Sequence, residues 1–212
     1  MAHISGREKG FWVTTWRNWG RTETAHPARV LHPTTEDHVV TAVRHAAEDD
    51  LPVKAVGSGH SFSGIALAPG VQLQLSGLSG LVSVDRSTRQ ATLRAGTPLH
   101  AVPGLLAPYG LAMPNLGDID RQTISGALAT GTHGTGLRFG GLATQVVGAR
   151  LVDGQGTVHD LGPGHELLPA VALGLGALGI LTEVTLQCVP AFLLRAVERP
   201  EPLDRVLRTW PE

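Results

Sequence analysis

Apolar residues recur at helical spacing through TTEDHVVTAVRHAAEDD, residues 34–50, where Val39, Val40, Val43, Ala46 and Ala47 share one face. Thr34 and Asp37, three positions apart, predict a capping box at its start. On either side, ARVLHP (28–33) and PVKAVG (52–57) are short apolar runs bounded by proline or glycine, which predicts strands. Strand, helix and strand in succession predict a small parallel βαβ unit. VQLQLSGLSGLVSVD (71–85) supplies one or two further strands. QATLRAG (90–96) alternates apolar and polar after the turn residues DRST, which predicts a hairpin. PLHAVPGLLAPYG (98–110) is helix-like, with Pro103 and Pro108 limiting its regularity. Residues 145–161 predict strand, turn and strand around Asp153–Gly156, and ILTEVTLQCVP (180–190) predicts a last strand. No internal repeat or low-complexity tract is present. The order predicts a mixed α+β domain with two sheets rather than a regularly alternating doubly wound sheet.

Composition narrows the function classes. Apolar residues make up 42% of the 212, enough for a folded core. The formal net charge of −1 argues against a nucleic-acid or anionic-membrane surface. Cys188 is the one cysteine, so neither an internal disulfide nor a multi-cysteine zinc site is available. The start, MAHISGREKGFW, lacks the apolar run of a secretory leader. LLPAVALGLGALGIL (167–181) is the most apolar stretch, but it is short for a membrane span and is broken by Pro169 and three glycines. A cytoplasmic protein without a transmembrane segment is expected.

Candidate chemistry begins at AVGSGHSFSG, residues 55–64. Glycines let a backbone approach a ligand closely and turn several N–H groups toward one anion. A plain structural turn explains the same residues. The dinucleotide fingerprint GxGxxG fits at Gly57 and Gly59 and fails at Phe62, and no long helix follows. No Gly-Lys-Ser/Thr follows either, so a P-loop is excluded. A second segment, NLGDIDRQTISGALATGTHGTG (115–136), shifts the balance. Thr123 caps a predicted short helix whose small residues, Ser125 to Ala129, permit close approach. Two such loops in one domain suggest a long ligand carrying a diphosphate. His60 and His133 lack a third histidine or a carboxylate at ligand spacing, so no metal site is expected.

VGSGHS, the 115–136 segment and LGALGILTEVTLQ, in order and with WRNWG (16–20) ahead of them, resemble three flavin-binding segments. They are similar to the PCMH-type FAD-binding domain of the vanillyl-alcohol-oxidase superfamily, and most of all to the aldonolactone oxidases and dehydrogenases. The resemblance covers nearly all of residues 12–190. It implies a small N-terminal parallel sheet and a larger, mainly antiparallel one. It also implies a lead-in over 1–24, an FAD-binding domain over 25–192 (subdomains about 25–84 and 85–192), and the start of a linker over 193–212.

By the same resemblance, Gly57, Ser58, Gly59 and Ser61 would hold the FAD pyrophosphate. His60 falls on a histidine that many members bond covalently to the 8α-methyl carbon of the flavin; some relatives carry another residue there and bind FAD non-covalently. The alternative for His60 is a local hydrogen bond. A neutral imidazole nitrogen is a competent nucleophile, and the bond would anchor the cofactor and raise its potential. Thr123, Ser125, Gly126, Gly131, Thr132 and His133 fall on the second segment. Asp118 stands where several relatives have serine. Ile180 would line the adenine end, a role compatible with a plain core isoleucine. Gly117 matches a position near the flavin edge where oxygen approaches; a side chain there blocks oxygen, and glycine leaves the path open.

The implied reaction is hydride transfer from a hydroxyl-bearing carbon of a sugar lactone or polyol to flavin N5, with oxygen or another acceptor reoxidising the flavin. Members of the family continue into a cap domain that supplies most substrate contacts and the proton acceptor. The chain is therefore expected to be a fragment, a truncated product or half of a two-chain enzyme. The catalytic base and substrate residues are expected in the missing part. A flavin-binding module without catalysis is the main alternative, followed by a nicotinamide-dependent flavin reductase. A purely structural interaction domain leaves both glycine loops unexplained.

Overall fold

The computed structural model describes residues 15–209; the start MAHISGREKGFW, most of the expected lead-in and the last three residues lie outside the described part. A small hairpin comes first, β1 (Trp16–Arg17) antiparallel to β2 (Thr24–Ala25). Next come β3 (Arg29–Leu31), helix α1 (Glu36–Glu48), β4 (Val53–Val56) and β5 (Val71–Gln74). α1 buries Val39, Ala42, Val43 and Ala46, close to the face its periodicity predicts. Its cap lies one residue later than expected. Thr35 Oγ1 accepts from the His38 N–H at 3.2 Å, while Thr34 lies against the His38 ring instead.

The βαβ expectation holds in direction but not in adjacency. β3 and β4 are parallel, yet β5 lies between them in the order β3-β5-β4. The central place goes to the most buried strand, since Val71, Gln72 and Leu73 are all within 1% of full burial. β4 is thereby left on an edge.

The larger sheet takes β6 (Leu81–Asp85) and β7 (Gln90–Arg94), the predicted hairpin. The change of sheet thus falls between Gln74 and Leu81. The segment 98–110 is broken at its prolines into two 3-10 turns around a short helix, α2 (Val102–Leu106). β8 (Leu111–Ala112) precedes α3 (Ile124–Ala129). β9 (Val146–Val152) and β10 (Val158–Leu161) enclose the expected turn, and α4 (Leu168–Ala172) leads to β11 (Ile180–Gln187). The five strands run in the order β10-β9-β11-β7-β6, all antiparallel. The expected last strand divides at Cys188: β12 (Val189–Pro190) leaves this sheet to pair with β8. Beyond it no regular element occurs until helix α5 (Leu203–Thr209).

One continuous core joins the two sheets, with Val39, Val43 and Leu73 in the same cluster as Leu93, Ile124, Leu151 and Leu186. A charged clasp reinforces it. Arg150 on β9 donates to both Glu36 oxygens at 2.7 and 3.1 Å, and the buried Thr182 hydroxyl on β11 donates to Glu36 as well. The Arg150 guanidinium holds the Glu36 carboxyl below its ordinary 4.5. No helix among the described residues is long and apolar enough to cross a membrane.

Candidate functional site

β4 delivers the chain from the sheet edge into the loop Gly57–Ser61. Gly57 lies directly against Thr123, where a Cβ would collide with the threonine hydroxyl. Ser58 Oγ donates to the Arg121 carbonyl at 2.6 Å. The two glycine-rich segments are thus in contact. Gly59 has φ +68°, and a side chain there would meet the Trp16 ring at 3.0 Å. Among the described residues, the N–H groups of Ser58, Gly59, His60 and Ser61 meet no protein acceptor. These are the free donors that an anion needs.

The loop forms one end of a cleft of about 400 Å3. Gly57, Ser58, Gly59, His60 and Ser61 line it with Thr123, Ser125 and Gly126 from α3 and its cap. The β4 edge, the end of β9 and Gly174–Leu181 form further wall. Ile180 lies in that wall and is buried, as a core residue and a lining residue at once. Thr123 accepts from the Gly126 N–H at 3.3 Å, which is the predicted cap. His60 and Ser61 also line a shallower depression with Phe62, Gln122 and Leu175.

The remaining candidates do not line this cleft. Thr132 exchanges hydrogen bonds with Gln122, with Gln122 Nε2 donating at 2.9 Å, which ties the end of the second segment back to its middle. Gly117 packs on Thr132: a Cβ would lie 2.8 Å from its methyl carbon. Gly131 takes φ +71° at the end of α3. His133 is exposed, with Nδ1 2.9 Å from the Gly134 carbonyl, and Asp118 is exposed too. Among the described residues, no group of three His, Cys, Asp or Glu side chains could hold a metal.

Lys54 and Asn18 escape a reading of the sequence, and Asp153 is legible in it only as part of a turn. Lys54, on β4, sends Nζ 2.9 Å to the Leu175 carbonyl, and burial lowers its pKa. Asp153 stands in the wall, its carboxyl held down to about 2 by His159 at 2.8 Å and by the Thr157 and Gln155 N–H groups. Its bonds make it a turn builder. Asn18 reaches over the chain to donate to the Ser61 carbonyl at 2.9 Å.

A free-donor loop, a second small-residue segment touching it and an elongated cleft between them form a dinucleotide-sized site. Residues 27–162 match the family model described as an FAD binding domain. This chain belongs to that family. L-gulono-1,4-lactone dehydrogenase of Mycobacterium tuberculosis is 40% identical over 197 residues, which is 93% of this chain and 46% of that protein. L-gulonolactone oxidase of Bos taurus is 36% identical over 200 residues, again 93% and 46%. D-arabinono-1,4-lactone oxidase of Eremothecium gossypii is 34% identical, over 92% and 38%. The chain thus spans about half the length of the curated relatives it matches. A solved structure of alkyldihydroxyacetonephosphate synthase has the same fold, with a TM-score of 0.69 at 20% identity over 76% of this chain and 31% of that one. The small parallel sheet beside a larger antiparallel one agrees with the architecture expected from the sequence.

Proposed function

We propose that the cleft holds FAD in the FAD-binding half of an oxidoreductase acting on the CH–OH group of a sugar 1,4-lactone or polyol. Residues 25–192 are the FAD-binding domain, and 193–212 lead toward a second, substrate-binding unit. The free N–H groups of 58–61 carry this reading, because a diphosphate is the part of FAD that they suit. Ser58 and Ser61 add hydroxyls, Thr123, Ser125 and Gly126 keep the facing wall small, and Ile180 lines the adenine end. The segment Gly117, Asp118, Gly131, Thr132 and His133 belongs to the flavin-ring end, with Gly117 leaving a path for oxygen. When bound, the flavin supplies the two-electron acceptor for the substrate hydride and passes the electrons to oxygen or another acceptor.

His60 is the covalent tether. One of its ring nitrogens would take the 8α-methyl carbon of bound FAD while the ring releases its N–H proton; the flavin would supply the electron sink for the displaced C–H pair, with oxygen or another acceptor as the final oxidant. The test is a denaturing gel of the purified chain loaded with FAD. Flavin fluorescence should stay in the protein band and vanish in His60→Ala. A dark band in the unaltered chain with bound FAD released by acid would leave FAD binding and remove the tether. A second reading is a flavin-binding module without its own turnover. A yellow protein inert toward lactones and polyols would support it.

A further inference from the structure

We propose that Asn18 and Trp19 form a clamp that orients the His60 ring for attachment to the flavin, with Trp19 its positioning residue. The inference rests on the reading of His60 as the tether. The carbonyls of the two residues flanking His60, Gly59 and Ser61, are held by adjacent residues of the β1–β2 hairpin. The Trp19 N–H donates to the Gly59 carbonyl at 2.7 Å, and Asn18 Nδ2 donates to the Ser61 carbonyl at 2.9 Å. Asn18 is 3% exposed, and its amide is otherwise committed: Nδ2 also donates to Thr22 Oγ1 at 2.8 Å, and Oδ1 accepts from the Glu23 N–H at 3.0 Å. Its side chain therefore has one available orientation, and so does the peptide it grips.

The ring itself is held differently. The Trp19 indole stacks on the His60 imidazole with centroids 5.3 Å apart and planes at 21°. Phe62 meets the same indole edge-on at 6.1 Å. Gly20 lets the hairpin lie on Phe62, since a Cβ there would be 2.7 Å from the phenyl ring. Among the described residues, no group hydrogen-bonds a His60 ring nitrogen. A histidine oriented by hydrogen bonds spends a ring nitrogen on the task. A stacked histidine keeps both, so either is available to bond carbon. Stacking fixes the plane of the nucleophile at no cost to its lone pair.

The test follows attachment over time after FAD is added to the flavin-free chain. Covalent flavin is read as in-gel fluorescence, and bound but unattached FAD as flavin released by acid. Trp19→Leu keeps an apolar cover over the loop and removes the aromatic face. It should slow attachment about tenfold or more, with FAD affinity within about twofold of the unaltered chain. Trp19→Phe, which restores a ring to stack, should recover most of the rate. Attachment at the unaltered rate in Trp19→Leu would overturn the clamp. Loss of FAD binding in both variants would overturn it too, by showing that Trp19 merely builds the loop. An unaltered chain that binds FAD but never attaches it fails earlier, at the tether itself.

Discussion

Ser58 Oγ donates to the carbonyl oxygen of Arg121 at 2.6 Å, a single bond that joins two loops 63 residues apart. The bond is exposed, so water replaces it readily when it is lost. Ser58→Ala should therefore cost only about 0.5–1 kcal/mol of stability without FAD. The cost with FAD should be larger, because the freed loop must be ordered again on binding. The thermal midpoint measured with and without FAD checks this: the ligand-induced rise should shrink. An unchanged rise would mean that the loops hold their spacing without the bond.

Gly57 and Thr123 offer a sharper test of the same junction. A methyl at Gly57 collides with the Thr123 hydroxyl, which is committed to the Gly126 N–H. Gly57→Ala should cost about 1–3 kcal/mol by overpacking. Thr123→Ala should cost about 1 kcal/mol through the lost cap. The double variant should cost clearly less than the sum, since the second change removes the atom struck by the first. Strict additivity in denaturant unfolding would place the strain elsewhere.

Local pattern carried the sequence reading wherever neighbours in the chain decide the structure. The buried stripe of α1, the 85–94 hairpin and the turn at Asp153 depend on residues within a few positions. What escaped depends on distant partners. The Thr34–Asp37 box looks sound until His38 engages Thr34 and the cap moves to Thr35. That β5 separates β3 from β4 follows from its burial on both faces, which alternation in VQLQ conceals. The glycine loops and Thr123 were legible because glycine and capping residues announce backbone constraints. Asn18 and Lys54 were not, since an asparagine or a lone lysine has no pattern that names a carbonyl 43 or 121 residues away.

The Glu36 clasp makes a pH prediction. Its carboxyl titrates below the ordinary 4.5 when folded, chiefly because Arg150 bonds it, so the unfolded chain binds the proton more tightly. The clasp's contribution is thus complete above about pH 5 and is lost as pH falls through the folded value. Glu36→Gln should cost about 1 kcal/mol at pH 7 and progressively less in acid. Unfolding curves from pH 7 down to pH 3 should converge for the two proteins. Parallel curves would show that Glu36 contributes no charge-dependent stability. Asp85 and Asp153, both near 2, titrate in each protein and cancel from the difference.

Gln72 is fully buried in the central strand β5, and neither its amide nitrogen nor its oxygen has a hydrogen-bond partner among the described residues. A buried amide without partners costs free energy that an apolar group of the same shape does not. Gln72→Met, nearly equal in volume, should therefore raise stability by about 1 kcal/mol. A lower denaturant midpoint would mean that the amide is satisfied in solution, by a buried water in the small sheet.

Lys54 ties two walls of the cleft together. Its Nζ donates to the Leu175 carbonyl at 2.9 Å, and Leu175 holds φ +53°, a conformation that costs a leucine about 1 kcal/mol or more. The backbone there is further fixed by the Leu175 N–H on the Ala129 carbonyl at 3.1 Å, so the wall segment is gripped from β4 and from α3 together. Lys54→Met keeps the apolar stem and removes the donor. Without it, the strained turn at Leu175 loses one of its two holds and should open more often. Amide exchange over residues 173–179 should accelerate several-fold while α1 keeps its protection. FAD should also leave faster in a His60→Ala background, where no covalent bond masks dissociation. Unchanged exchange in 173–179 would assign the hold on this wall to Ala129 alone.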